Sequence, residues 1–270
     1  MISKILKNIL NPLKLTKKIF NKIKFLYNKK KYNKTLYEDE QNKIFGSLNF
    51  QREKGLKKIA EIKNNFSIKT GGMSSEHETL LACISLKKKL DIKDILEIGT
   101  FDGANCHLIS RLFPESNIDT IDLGANDKDF IHSYNRESSL KDFLEKRSKN
   151  LAQSKKINFI ELNSLKLIDH EKKYDLIWID GAHGYPVVSS DIINSLKLIN
   201  HNGIILCDDI YKNLESSEYD KMYKSIASYE TLQALQEQQI IKFNLIFKRL
   251  DAEYNSDESE RQFVAICERI

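Results

Sequence analysis

Proline and glycine are scarce in this 270-residue chain, at 3 and 10 residues, and there are only 4 cysteines and 1 tryptophan. So little proline and glycine excludes a collagen-like or low-complexity chain. The cysteines (Cys83, Cys106, Cys207 and Cys267) show no CxxC and no zinc-like spacing. Each sits among apolar neighbours, as reduced structural thiols do. No apolar run approaches the ~18 residues of a membrane-spanning helix. The N-terminus lacks the uninterrupted apolar core and small-residue cleavage site of a secretory signal. Residues 1–37 also lack any acidic residue and any arginine, and the missing arginine argues against a mitochondrial presequence.

What remains is an ordinary globular composition, 41% hydrophobic and 30% charged, long enough for one large domain or a domain with an appendage. The net charge of +5 averages two unlike parts: residues 1–37 hold 11 lysines and carry +11, and residues 38–270 carry −6. Abundant Lys, Asn and Ile are what an AT-rich genome produces, so lysine content alone does not signal nucleic-acid binding.

The basic arm is amphipathic. Ile2, Ile5, Leu6, Ile9 and Leu10 follow the spacing of one helical face, with Lys4 and Lys7 off it. Pro12 interrupts, and a second segment sets Leu13, Ile19, Phe20, Ile23, Leu26 and Tyr27 against Lys14, Lys17, Lys18, Lys22 and Lys24. Such a helix suits an anionic membrane surface, reached through residues 2–34. The same pattern also suits packing on the body or on a second subunit, or a frayed terminus. Residues 38–50 mark a change in composition and the expected junction, so 1–50 is read as arm and linker and 51–270 as the body.

From residue 91 short apolar runs alternate with helical patterns. Strands are expected at 94–99, 118–122, 157–162, 174–180 and 203–208, with helices near 104–113, 138–152, 187–199 and 216–238. Strands apolar on both faces and separated by helices imply a parallel sheet covered on both sides. Runs at 240–249 and 262–268, joined by an acidic turn, read as an antiparallel hairpin at the sheet edge. The expectation is an α/β fold: a seven-stranded, mostly parallel sheet with its last strand antiparallel, helices on both faces, and an N-terminal helical arm. Ligands in such sheets bind beyond the carboxyl ends of the strands.

Candidate site residues fall at those ends. Glu97, Gly99, Gly103 and Asn105 lie in ILEIGTFDGAN, a strand, glycine turn and helix opening that let backbone approach a ligand. The spacing is ExGxxxG rather than GxGxxG, and Glu97 would repel a pyrophosphate and suit a cation. Asp122 ends the next strand, placed either to accept ribose hydroxyls or to cap a loop. Asn163 and Ser164 end the third, placed for adenine-edge hydrogen bonds or for a turn. Asp180 leaves the fourth strand, and Asp208 and Asp209 leave the fifth. Three converging carboxylates need protons or a cation, and hard oxygen donors favour Mg²⁺, Ca²⁺ or Mn²⁺ over zinc. His183 could then take a proton from a hydroxyl. The bland reading makes the aspartates loop caps and His183 a surface histidine. Tyr185 is a candidate for the acceptor pocket. The other histidines, and Trp178 as a core residue, are read as structural.

Together these segments resemble the class I S-adenosylmethionine-dependent methyltransferases over about residues 70–270, outside the arm. ILEIGTFDG, TIDL and WIDGAHGY…GIILCDD look most like the branch that holds macrocin-type and other sugar O-methyltransferases. The resemblance implies a Rossmann-like fold in which Glu97, Gly99 and Gly103 cradle the methionine part of the cofactor and Asp122 holds its ribose. It makes Asp180, Asp208 and Asp209 ligands of a divalent cation, Mg²⁺ by preference, and His183 the general base. Met73-Ser74-Ser75-Glu76 falls where such enzymes cover the cofactor. Asn105 stands where serine is frequent, and Asp209 where catechol-type enzymes use asparagine.

The expected activity is O-methylation of a small-molecule or glycan hydroxyl by a cytoplasmic enzyme peripheral to the inner face of a membrane, with a homo-oligomer open. Competing readings are an NAD-dependent oxidoreductase, which the missing GxGxxG counts against, and a nucleic-acid methyltransferase with a phosphate-tracking arm, which the acidic body counts against. A non-enzymatic membrane scaffold is the third.

Overall fold

The computed structural model describes residues 12–68, 75–87, 89–132, 139–214, 224–250 and 261–270. The first arm segment at 2–10, Met73 and Ser74, and residues 216–223 of the expected 216–238 helix lie outside them.

The strands are β1 (Asp94–Ile98), β2 (Asn117–Asp122), β3 (Ile157–Glu161), β4 (Tyr174–Ile179), β5 (Ile199–Ile210), β6 (Ile241–Phe247) and β7 (Phe263–Arg269). They form one sheet in the order β3-β2-β1-β4-β5-β7-β6. β7 runs antiparallel to both β5 and β6, and the pairs from β3 through β5 are parallel. The terminal hairpin therefore closes the edge as expected, with its second strand inserted between β5 and β6. All six parallel strands point their carboxyl ends to one edge, and the order reverses between β1 and β4, the position at which such sheets bind ligands.

The helices are α1 (Pro12–Lys31), α2 (Lys34–Ser47), α3 (Arg52–Phe66), α4 (Ser75–Ser85), α5 (Ala104–Leu112), α6 (Lys128–His132), α7 (Leu140–Leu151), α8 (Val187–Leu198) and α9 (Ala227–Glu237). Pro12 opens α1, where a missing N–H costs nothing. Side chains along each strand alternate between two cores. Ile95, Trp178, Leu206 and Ile266 pack with Phe45, Ile59, Leu81 and Leu108 from α2 to α5. Leu96, Ile177, Ile205 and Cys267 pack with Ile192 and Leu232 from α8 and α9. All four cysteines are free and buried. No described helix is long and apolar enough to cross a membrane.

The stretch 38–50, taken from its composition as a junction, is mostly the helix α2 seated on β6. Fully buried Gln41 donates to Phe247 O (3.0 Å) and accepts from Phe247 N (3.0 Å), so its amide mimics a neighbouring strand. It also donates to Glu76 (2.9 Å), whose carboxylate holds the Arg52 guanidinium at 2.7 and 2.9 Å. Glu76, expected near the cofactor, thus ties α2, α3 and α4 together.

By contrast α1 projects Ile19, Phe20, Ile23, Leu26 and Tyr27 into solvent, each more than half exposed. Its far end is anchored: the Tyr32 hydroxyl donates to Leu250 O, and its ring stacks on Tyr37 with centroids 5.2 Å apart. Leu250 follows β6 at the same edge of the sheet as the other carboxyl ends.

Candidate active site

The glycine turn after β1 is built by close backbone approach. At Gly99 (φ 102°) a Cβ would lie 2.2 Å from the carbonyl oxygen of Asp180, so the turns after β1 and β4 touch only because glycine is there. Gly103 (φ 74°) opens α5, and a Cβ there would press on Leu151 at 3.1 Å. Between them Phe101 takes a left-handed φ of 49°, held by its N–H donating to Asp122 Oδ2 at 2.9 Å.

Glu97 is fully buried beneath this turn. It accepts from Thr120 Oγ1 (2.5 Å) and Asn105 Nδ2 (2.8 Å). Burial raises its pKa to about 7, against the lowering effect of these hydrogen bonds. A nearby cation would stabilise its charged form. Asn105 Oδ1 lies beside the buried His77 ring, and its interaction with that ring opposes the lowering of the His77 pKa by burial. A buried carboxyl whose charged form a nearby cation favours fits a ligand that brings an ammonium group, as the methionine part of S-adenosylmethionine does. Asp122, at the end of β2, also accepts from Leu123 N (2.8 Å) and lies 3.9 Å from the buried Arg147 guanidinium. Both of its oxygens accept from backbone N–H groups of the loops after β1 and β2, which is the loop-cap alternative for that residue.

Asn163 and Ser164 follow β3. The exposed Asn163 caps the short 3₁₀ helix Ser164–Asp169 by accepting from Leu165 N at 3.0 Å, which is the turn alternative for that residue.

The ends of β4 and β5 bring the acidic cluster together in an arrangement unlike the expected trio. His183 Nε2 lies 3.6 Å from Asp180 Oδ1 and 3.5 Å from Asp209 Oδ2, and these three donors fall within 4.8 Å of one another. Asp208 does not join them. Its Oδ2 is 2.7 Å from Lys248 Nζ, which also lies 2.5 Å from Asp209 Oδ1. Gln262 Nε2 donates to the same Asp209 oxygen at 3.0 Å. Asp209 adopts a left-handed φ of 51°, a backbone strain that these bonds hold in place.

The electrostatics follow from burial and Lys248. Burial and the neighbouring Asp208 push the Asp180 carboxyl well above the usual range. Burial would raise Asp208 too, but the Lys248 ammonium overrides it and holds that carboxyl below its ordinary value. Burial works to lower the Lys248 pKa, and the aspartates win and raise it. His183 is almost fully buried, and desolvation lowers its pKa despite Asp209 and Asp208, leaving a neutral imidazole able to accept a proton.

The expected metal set therefore does not fit as drawn. A divalent ion on Asp180, Asp208 and Asp209 would have to share both β5 carboxylates with an ammonium bound to one oxygen of each, using Asp208 Oδ1, which is buried without a hydrogen-bond partner among the described residues, and Asp209 Oδ2. The donors left facing one another are Asp180, His183 and Asp209. Lys248 and Gln262 were missed in the sequence because β6 and β7 reach this edge only through the strand order. The one signal was a lysine at the end of the apolar run 240–249. Tyr185 is mostly exposed beside the site.

Residues 96–210, from within β1 to the end of β5, match the model of a family described as a methyltransferase domain; Lys248 and Gln262 lie outside the match. Among solved structures, one titled a putative caffeoyl-CoA O-methyltransferase from Staphylococcus aureus aligns with a TM-score of 0.50 at 17% identity, covering 80% of this chain and 92% of that one. The cofactor-bound Rv0187 from MTB aligns with a TM-score of 0.51 at 13% identity, covering 80% and 89%. At these identities the two structures speak to the fold alone. No curated protein matches the chain in sequence. Residues 96–210 therefore carry a methyltransferase domain, in the strand order and with the glycine turn described above.

Proposed function

We propose that this methyltransferase is an O-methyltransferase that uses His183 as its general base. The observation that carries this reading is the neutral, buried His183 imidazole, aimed between Asp180 and Asp209 beside the glycine turn. When bound, S-adenosylmethionine supplies an electrophilic methyl group on a sulfonium. With Nε2–H turned to the two carboxylates, His183 takes the acceptor hydroxyl proton on Nδ1 while the acceptor oxygen bonds to the methyl carbon and the carbon–sulfur bond breaks. The products are a methyl ether, S-adenosylhomocysteine and an imidazolium that returns its proton to solvent. Much of the acceleration would come from holding the two reactants in line. Asp209 orients the imidazole and stabilises the imidazolium.

His183→Asn tests this assignment. It is expected to lower kcat about 10²–10⁴-fold, the usual worth of a general base. It should also remove the acidic limb of the pH profile. S-adenosylhomocysteine binding should be retained, and a variant that keeps full turnover would refute the role.

A sugar hydroxyl of a glycolipid or surface polysaccharide is the acceptor class this reading favours. The arm supports it: α1 carries exposed apolar residues among lysines, and its root at Tyr32 is bonded to Leu250, two residues from Lys248. An anionic bilayer under α1 would bring its headgroups to the sheet edge that bears the site. That would make the enzyme peripheral to the cytoplasmic face of a membrane; a second copy of the chain is the other occupant α1 suits. A divalent ion at Asp180, His183 and Asp209 is the second reading of the acidic cluster, favoured by the convergence of those three donors. It would take His183 out of service as a base. The NAD-dependent and nucleic-acid readings have no comparable support, because the buried Glu97 opposes a pyrophosphate and the body is acidic.

A further inference from the structure

We propose that the Lys248 ammonium is the resident cation of this site, holding Asp208 and Asp209 in place so that methyl transfer proceeds without a divalent metal. The activity part of this inference rests on the methyl-transfer reading, whereas the placement of the cation does not.

Lys248 is 5% exposed, and its ammonium touches one oxygen of each β5 aspartate, at 2.7 and 2.5 Å. Its backbone N–H donates to Gln262 O at 2.9 Å, and the Gln262 side chain donates to Asp209. The lysine is therefore delivered by the β6–β7 pair, outside the five strands that carry the candidate cofactor and acid residues. Charge-assisted bonds of this length in a buried site are strong and directional. A divalent ion bridging the ends of β4 and β5 would meet a positive charge bound to the same Asp209 carboxylate, at separations where like charges repel strongly in a buried setting.

The clamp also has a geometric consequence. With Oδ1 of Asp209 fixed by Lys248 and Gln262, Oδ2 is turned to His183 Nε2. Lys248 thus acts on the base through Asp209, as a positioning residue. Two carboxylates and one ammonium leave a single negative charge at the end of β5, which matches one sulfonium better than a dication.

Electron paramagnetic resonance of Mn²⁺ added to the full chain tests the inference without any acceptor. The wild type is expected to show no stoichiometric site at micromolar Mn²⁺. Lys248→Met, similar in length and uncharged, is expected to bind Mn²⁺ at least tenfold more tightly than the wild type. Wild-type turnover should stay within twofold on adding EDTA. The Met variant should lose at least 100-fold and recover in part with Mn²⁺, while S-adenosylhomocysteine binding stays within threefold. If the Met variant does not fold, Lys248→Arg keeps the charge and should retain EDTA-resistant turnover at a reduced rate. Stoichiometric Mn²⁺ on the wild type that disappears in Asp180→Asn, or loss of wild-type turnover in EDTA, would overturn the proposal. Absence of S-adenosylhomocysteine binding would sink the methyltransferase reading instead and leave the Mn²⁺ result to judge the lysine.

Discussion

Glu97 and Gly99 show how much a single side chain decides here. Glu97 has its pKa raised to about 7 by burial. A cation bound beside it favours the carboxylate and lowers that pKa, so ligand binding below about 7 must expel a proton. Titration calorimetry at pH 6.5 in two buffers of different ionisation enthalpy should report proton release on binding S-adenosylhomocysteine. The release should vanish in Glu97→Gln. Equal heats in both buffers for the wild type would place the ligand's ammonium elsewhere. Gly99→Ala is expected to destabilise the fold and abolish cofactor binding, because its Cβ would strike the Asp180 carbonyl in a backbone region that disfavours alanine. A variant with unchanged Tm and affinity would contradict that packing. At this scale the place of the candidate site in the fold was legible in the sequence. Asp180, His183, Asp208 and Asp209 do gather at one edge. Asp208 nonetheless faces Lys248, and no spacing within the chain reveals a pairing across 40 residues.

Among the elements, α2 is the one whose role its composition concealed. It buries Gln41 and Phe45 within an otherwise polar helix, too few for an apolar stripe. The strands of the body were readable because they are apolar on both faces and end in glycine or acid. Their order was not, since the insertion of β7 between β5 and β6 is a long-range pairing. Gln41 holds Phe247 and Glu76 at once, so Gln41→Ala leaves a buried carbonyl, N–H and carboxylate oxygen short of partners. The expected cost is about 3 kcal/mol, the scale of unsatisfied buried polar groups. Urea denaturation would measure it as a lower midpoint with unchanged slope. A change under about 0.5 kcal/mol, the range of ordinary surface substitutions, would show α2 to be loosely held.

At the scale of the whole molecule, charge is divided between the arm and the body. The −6 of residues 38–270 accompanies a site suited to a cationic cofactor, and the +11 belongs to residues 1–37. Removing residues 1–31 leaves Tyr32 and its anchor at Leu250 intact. The truncated protein is expected to keep its Tm and S-adenosylhomocysteine affinity. It should lose co-sedimentation with vesicles containing anionic lipid, and the full chain should release from them at high salt. Unchanged vesicle binding after truncation would remove the arm from that role, and a shift from dimer to monomer would assign it to a second copy.

The central claim, that the sheet edge at the carboxyl ends of β1, β2 and β4 holds S-adenosylmethionine, is tested most directly by calorimetric titration of the full chain with S-adenosylhomocysteine and, separately, with NADH. Saturable one-to-one binding of S-adenosylhomocysteine, weakened at least tenfold by Asp122→Ala and with no heat from NADH, is the predicted result. Tight NADH binding with none of S-adenosylhomocysteine would contradict the account.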